Sequence, residues 1–296
     1  MIRASRETTA GRRYLDLQRA AQRSKRPVDE LMQLYALECF LDRLTRSRFA
    51  EQFVLKGGVL LAALGVRRPT RDIDLAARAL DNDTQTMLTV AKEIAAIELD
   101  DGIVFDADHA SVEVIREDGP YSGARIKLGG TLSRAVLRLH VDINVGDPIW
   151  PEPQPVQLPR LLDGMLEIRG YSAEMVLAEK IVTAIARGTA NTRWRDFVDI
   201  YSLTQRHDID GKVLQQSMQR VAEYRAVTLA SLQTVLEGYA DIAQPRWLAW
   251  VRKQRLESSV PEQFSAVLDL VVRFSELVIA EAPTAKKWNS TQQCWI

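Results

Sequence analysis

The sequence predicts an α+β protein in two parts, a mixed sheet-and-helix half followed by an all-helical half. Three observations carry the prediction. Residues 136–145 alternate apolar and polar side chains with a period of two, and shorter strand-like pieces precede them. Five prolines between Pro148 and Pro159 then mark a connector. Beyond them apolar residues recur at helical spacing. The 296 residues are long for one small domain and comfortable for two.

Residues 1–50 read as a basic helical arm packed on the core, with 11 Lys and Arg against 6 Asp and Glu. Within the arm Leu31, Leu34, Tyr35, Leu37, Cys39, Leu41 and Leu44 predict a helix over 28–48. The core follows at 51–150. A helix starts after Gly57-Gly58, carries Leu60, Leu61 and Leu64, and ends at Gly65 ahead of Pro69. Residues 71–76 read as a strand with Ile73 and Leu75 on one face, Asp72 and Asp74 on the other. Strand-like pieces at 104–116 and 124–128 are separated by the turn chemistry of Asp118-Gly119-Pro120. On 136–145, Leu137, Leu139, Val141, Ile143 and Val145 point one way, and Arg138, His140, Asp142 and Asn144 the other. A helical domain is expected over 160–296. In it Ser172 caps a helix over 173–187 that Gly188 closes, and Trp194, Phe197, Val198 and Tyr201 stripe the next.

Apolar residues at 46% and charged ones at 26% exclude a collagen-like or wholly disordered chain. The 39 basic and 39 acidic residues cancel, so any polyanion site is a local patch rather than a global field. Residues 72–120 hold 3 basic and 13 acidic residues, whereas 180–206 hold 5 and 2. The plain reading of such runs is a solvated face, the sharper one a cleft with a cation-binding and a phosphate-binding wall. Cys39 and Cys294 form neither metal spacing nor a disulfide framework. With no signal peptide and no apolar run long enough to span a bilayer, the expectation is a cytoplasmic protein with no membrane partner.

The chemistry concentrates in a few residues. Asp72 and Asp74 share one strand face, and Asp142 sits on the polar face of a later strand. Three such carboxylates suit Mg²⁺ or Mn²⁺. Two ions about 3.5–4 Å apart can activate an attacking hydroxyl and stabilise a leaving pyrophosphate oxygen. Lys56-Gly57-Gly58 opens a helix where backbone N–H groups can meet phosphate. Lys180 lies mid-helix among Val176, Leu177 and Ile181, either snorkelling to a surface carboxylate or reaching an anion such as a triphosphate. Arg195 and Asp199 have the spacing of a helix-surface ion pair, while Asp196 is placed to orient Lys180 or to position the attacking hydroxyl. Thr70 is either an ordinary strand or turn threonine or a regulatory site, where phosphorylation would set a dianion beside the carboxylates. Trp247 and Trp250 read first as core packing.

Gly-Gly at a helix start, Asp-x-Asp on a strand, then Asp on an alternating strand is the layout of the polymerase-beta-like nucleotidyltransferase fold. More narrowly, Leu55-Lys56-Gly57-Gly58 through Arg67, Thr70, Asp72, Ile73, Asp74 and Leu75 resembles the first motif of the AbiEii/MenT nucleotidyltransferase-like toxins. Val141-Asp142-Ile143 resembles the second, Ala178-Glu179-Lys180-Ile181 with Arg187 the third, and Arg195 to Tyr201 the fourth, over about residues 53–203. Gly58 departs from the Gly-Ser of general nucleotidyltransferases, so a hydroxyl contact to phosphate is missing. The resemblance implies a metal-dependent toxin with a helical C-terminal lobe, moving a nucleoside monophosphate from an NTP to an acceptor hydroxyl. In some relatives the acceptor is the 3′ end of tRNA, which blocks aminoacylation and translation. It also implies a cognate antitoxin as partner. Asp72, Asp74 and Asp142 would hold the metals and, with Lys180 and Asp196, form the catalytic set. Lys56, Gly57, Gly58, Thr70, Lys180 and Arg195 would bind the nucleotide. Transfer to a small molecule or protein, or a non-catalytic nucleotide-gated module, are the alternatives.

Overall fold

The computed structural model describes residues 5–81, 83–116, 122–279 and 285–296. Its contacts divide into two compact units, one of Met1–Ala63, Arg67–Asp147 and Gln154–Gly170, the other of Leu64–Val66, Pro148–Pro153 and Tyr171–Ile296.

The first unit runs α1 (Thr9–Ser24), α2 (Val28–Arg46), β1 (Phe53–Lys56), α3 (Gly57–Ala63), β2 (Asp72–Ala77) and α4 (Thr84–Ala95). It continues with β3 (Ile103–Arg116), β4 (Ser122–Leu132), β5 (Ala135–Val145), β6 (Gln154–Pro159) and β7 (Met165–Gly170). All seven strands join one sheet in the order β3-β4-β5-β2-β1-β7-β6. β2 runs parallel to β5 and β1 to β7, and the other neighbours are antiparallel. The alternation read in β5 holds: Leu137, Leu139, Val141 and Ile143 are buried with Ile73 and Leu75 of β2 and Ile126 and Leu128 of β4. The Asp118-Gly119-Pro120 turn lies outside the described residues.

The basic arm packs on the core: α2 buries nearly everything from Leu31 to Leu44. Part of its excess charge meets carboxylates from later segments, Arg43 with Asp101 and Arg48 with Glu93, while Arg26–Glu30 and Arg46–Asp42 pair within it. Counting charges along a chain cannot see partners that folding supplies from other segments. Burial also pushes the Cys39 thiol well above its ordinary range, which leaves it inert. The proline-rich segment, expected as a connector, is one only in part: Pro148–Pro153 belong to the second unit, β6 then pairs with β7 from Gln154 to Pro159, and the chain leaves the first unit again after Gly170. β6 is an edge strand, where Pro155 and Pro159 can lack amide donors without breaking a ladder.

The second unit comprises α5 (Ala173–Arg187), α6 (Trp194–Thr204), β8 (Ile209–Asp210), α7 (Gly211–Tyr224) and α8 (Leu232–Val235). After these come α9 (Tyr239–Gln254), α10 (Phe264–Ile279), β9 (Lys287–Asn289) and β10 (Cys294–Trp295). It is mainly rather than wholly helical, since β8, β9 and β10 form a small sheet. Strands of two or three residues are too short to leave a periodic signal. The ends of α5 fall where expected: Ser172 Oγ accepts the Met175 N–H at 3.2 Å, and Gly188 closes the helix. Trp194 stacks on Tyr239 at 5.9 Å and Trp247 meets Phe264 at 4.9 Å, an aromatic core that takes in Phe197. Trp247 is fully buried and donates to the Pro261 carbonyl, so it packs the core as read. Among the described residues no helix is long and apolar enough to cross a membrane.

Candidate active site

Sheet register assembles the site. Lys56 of β1 stands opposite Asp74 of β2, Asp74 beside Asp142 of β5, Asp142 opposite Arg125 of β4, and Arg125 opposite Glu113 of β3. Registered partners share a face, so these five side chains form one charged row across five strands. The next row on that face is Ser111, Lys127, His140 and Asp72. Of the three aspartates named from sequence, Asp74 and Asp142 therefore stand side by side on neighbouring strands, about 4.8 Å apart, and Asp72 lies two residues along β2 on the same face.

Gly57 makes the row possible. Its φ is +65°, and a Cβ there would overlap the Asp74 carboxylate and lie 2.7 Å from the Asp74 Cβ. The Gly58 N–H, expected to face phosphate, reaches Asp74 Oδ2 at 3.4 Å. A Cβ on Gly58 would lie 2.7 Å from Thr70 Oγ1 and 2.9 Å from its Cγ2. Thr70 thus fills the space that a serine at 58 would need, which accounts for the departure from Gly-Ser. Thr70 is buried, its hydroxyl 3.3 Å from the Arg68 carbonyl, and a phosphoryl group there would have to displace this packing.

Several charges are already engaged. Lys56 Nζ lies 2.6 Å from Asp147 Oδ2, both buried. Arg125 grips Asp142 with a two-pronged fork, Nε to Oδ1 at 2.8 Å and Nη2 to Oδ2 at 2.6 Å. That hydrogen bond, against some burial, raises the guanidinium pKa further above its ordinary value. His140 Nδ1 lies 3.1 Å from Asp72 Oδ1. As donors the three carboxylates fit a hard divalent cation, and Asp72 and Asp74 are half-exposed. Among the described residues, however, no three His, Cys, Asp or Glu side chains converge as a finished metal cage. Both oxygens of Asp142 are taken by Arg125.

In the second unit Lys180 Nζ lies 2.9 Å from Asp196 Oδ1 and 2.8 Å from Asp199 Oδ2. Arg193 Nε approaches the other Asp196 oxygen at 2.6 Å. Asp196 thus meets Lys180 as read, whereas Asp199, paired with Arg195 in the sequence reading, is wholly buried against Lys180. The spacing tells that two side chains are neighbours, not which side of the helix faces inward. Arg195 is exposed on the outer side. Sequence reasoning missed Arg125, Asp147, Arg193 and the contact of Asp199. Arg125 and Lys127 alternate in phase along β4, a signal that gains meaning only with the β4–β5 register. Asp147 lies beyond β5 and carries no pattern.

The family described as nucleotidyl transferase AbiEii toxin, type IV TA system, matches residues 39–285. Two solved structures are similar at 13% identity and a TM-score of 0.48. One is a chain from H. pylori provisionally assigned as a nucleotidyltransferase, with 90% of this chain and 94% of that one covered. The other is JHP933 from Helicobacter pylori, with 90% and 91% covered. No curated protein matches.

Proposed function

The chain belongs to the AbiEii family of nucleotidyl transferase toxins of type IV toxin–antitoxin systems, and we propose that it moves a nucleoside monophosphate from an NTP to the 3′ end of tRNA. The observation that carries this is Asp72, Asp74 and Asp142 on adjacent strands of one sheet face, with Gly57 clearing the space Asp74 occupies. These three would hold Mg²⁺ or Mn²⁺, which when bound neutralises triphosphate charge and activates the attacking hydroxyl.

The chain's own residues do the positioning. Thr70 supplies, beside Gly58, the hydroxyl that the glycine lacks. Lys56, fixed by Asp147, presents a cation next to Asp74. In the second unit Asp196 and Asp199 hold the Lys180 ammonium in one place. His140 orients Asp72. Positioning and charge compensation account for most of phosphoryl-type catalysis, so no covalent intermediate on the protein is required. The exposed Arg187, Arg193, Arg195 and Arg206 suit the phosphate backbone of an acceptor stem. Transfer to tRNA would block aminoacylation in the cytoplasm, and a cognate antitoxin would relieve it.

The test resolves label from each α-labelled NTP among tRNA, protein and small-molecule fractions while salt is raised. Label on tRNA that falls steeply with salt supports the proposal. Salt-insensitive label on another fraction would replace tRNA with that acceptor. Nucleotide binding without any transfer would favour a non-catalytic module.

A further inference from the structure

We propose that Arg125 is a displaceable latch: it occupies Asp142 in the resting protein, yields that carboxylate to the incoming divalent cation, and then binds the substrate's phosphates. The inference rests on the metal-dependent reading above and adds a residue to it.

Both oxygens of Asp142 are taken by the Arg125 fork, at 2.8 and 2.6 Å, so a divalent cation can use this carboxylate only by displacing the guanidinium. The two partners differ in freedom. The Asp142 side chain is 6% exposed and fixed in its strand, whereas Arg125 is 31% exposed on a long, jointed side chain. Exchange therefore moves the arginine and leaves the carboxylate in place. The geometry also limits where the arginine can go. Glu113, its neighbour on the other side in the row, is held by Lys127 at 2.5 Å. A guanidinium lifted from Asp142 meets no unclaimed carboxylate in its own row, and an incoming triphosphate is the anion that would receive it. The same residue would then offset carboxylate charge before loading and phosphate charge afterwards. An arginine serving only to brace Asp142 would behave oppositely, because removing a bracing partner weakens metal binding.

The experiment measures binding of Mn²⁺ alone to the full-length protein by calorimetry and paramagnetic resonance, for wild type, Arg125→Ala and Arg125→Lys. The latch predicts binding about tenfold tighter in Arg125→Ala, the scale on which outer partners tune a metal ligand. Arg125→Lys, which keeps the charge without the fork, should fall between the two. It also guards against Arg125→Ala failing to fold with Asp142 left unpaired. The Mn²⁺-induced rise in thermal midpoint should be larger in both variants than in wild type. Affinity for a non-hydrolysable NTP with saturating Mn²⁺ should fall several-fold in Arg125→Ala. Unchanged or weaker Mn²⁺ binding in both variants overturns the latch, and unchanged NTP affinity overturns the transfer to phosphate. Absence of Mn²⁺ binding from wild type and variants alike overturns the metal-dependent reading itself, a result distinct from either.

Discussion

Replacing Gly57 with alanine puts a methyl group where Asp74 stands. Two costs add. The backbone at φ +65° holds a left-handed conformation worth about 1–2 kcal/mol against any residue with a Cβ. The new Cβ also overlaps the Asp74 carboxylate, and forcing that neighbour aside adds about 1–3 kcal/mol of overpacking. Together they predict a thermal midpoint lowered by about 4–20 °C, at about 2–4 °C per kcal/mol for a unit of this size. Gly65 separates the two terms. Its φ is +72° with nothing within 4 Å of a built Cβ, so Gly65→Ala carries the backbone cost alone and should lose about 2–8 °C. Activity divides them further, because only Gly57→Ala moves a metal-facing carboxylate. Differential scanning calorimetry and a nucleotide-transfer assay on both variants read the two effects. A Gly57→Ala protein as stable as Gly65→Ala, with native transfer, would refute the close approach on which the site is built.

Other perturbations have equally defined outcomes. Gly58→Ser alone should cost about 1–3 kcal/mol, since Thr70 is short and branched and cannot swing away, and adding Thr70→Ala should restore most of it in denaturant titrations. Asp199→Leu leaves Lys180 buried with one carboxylate fewer and should lose about 3–5 kcal/mol by urea unfolding. Burial alone would raise the Asp42 carboxyl, but hydrogen bonds from Arg46 and Arg160 outweigh it and hold it below its ordinary value of 3.8. That contribution is present above pH 3.8 and is lost as pH falls through the lowered value, so Asp42→Asn should be less stable at neutral pH and converge with wild type in acid.

What the sequence showed and what it hid follow from the range of the forces involved. The strand at Asp72–Ala77, the alternating β5 and the Ser172-capped α5 are written in local periodicity and capping, which act within a few residues. So is the shared face of Asp72 and Asp74, since a strand face can be counted along one segment. The β6–β7 hairpin was hidden because prolines signal connectors unless the strand is known to lie at an edge. The ion pairs at and just beyond the end of α2 were hidden because Arg43 and Arg48 find Asp101 and Glu93 far along the chain. The Arg125–Asp142 fork depends on register between strands, and the Lys180–Asp199 contact on which face of α6 is inward. Long-range pairing, not composition, decides all four.

The account's central claim is that nucleotidyl transfer runs on the carboxylates of one sheet face. Its most direct measurement is the rate of transfer from an α-labelled NTP to tRNA by wild type, Asp72→Ala and Asp74→Ala, each first shown to be folded. The account predicts transfer by the wild type and a loss of about 1,000-fold or more in both variants, the scale for removing a group that sets transition-state charge. Native rates in either variant would contradict it.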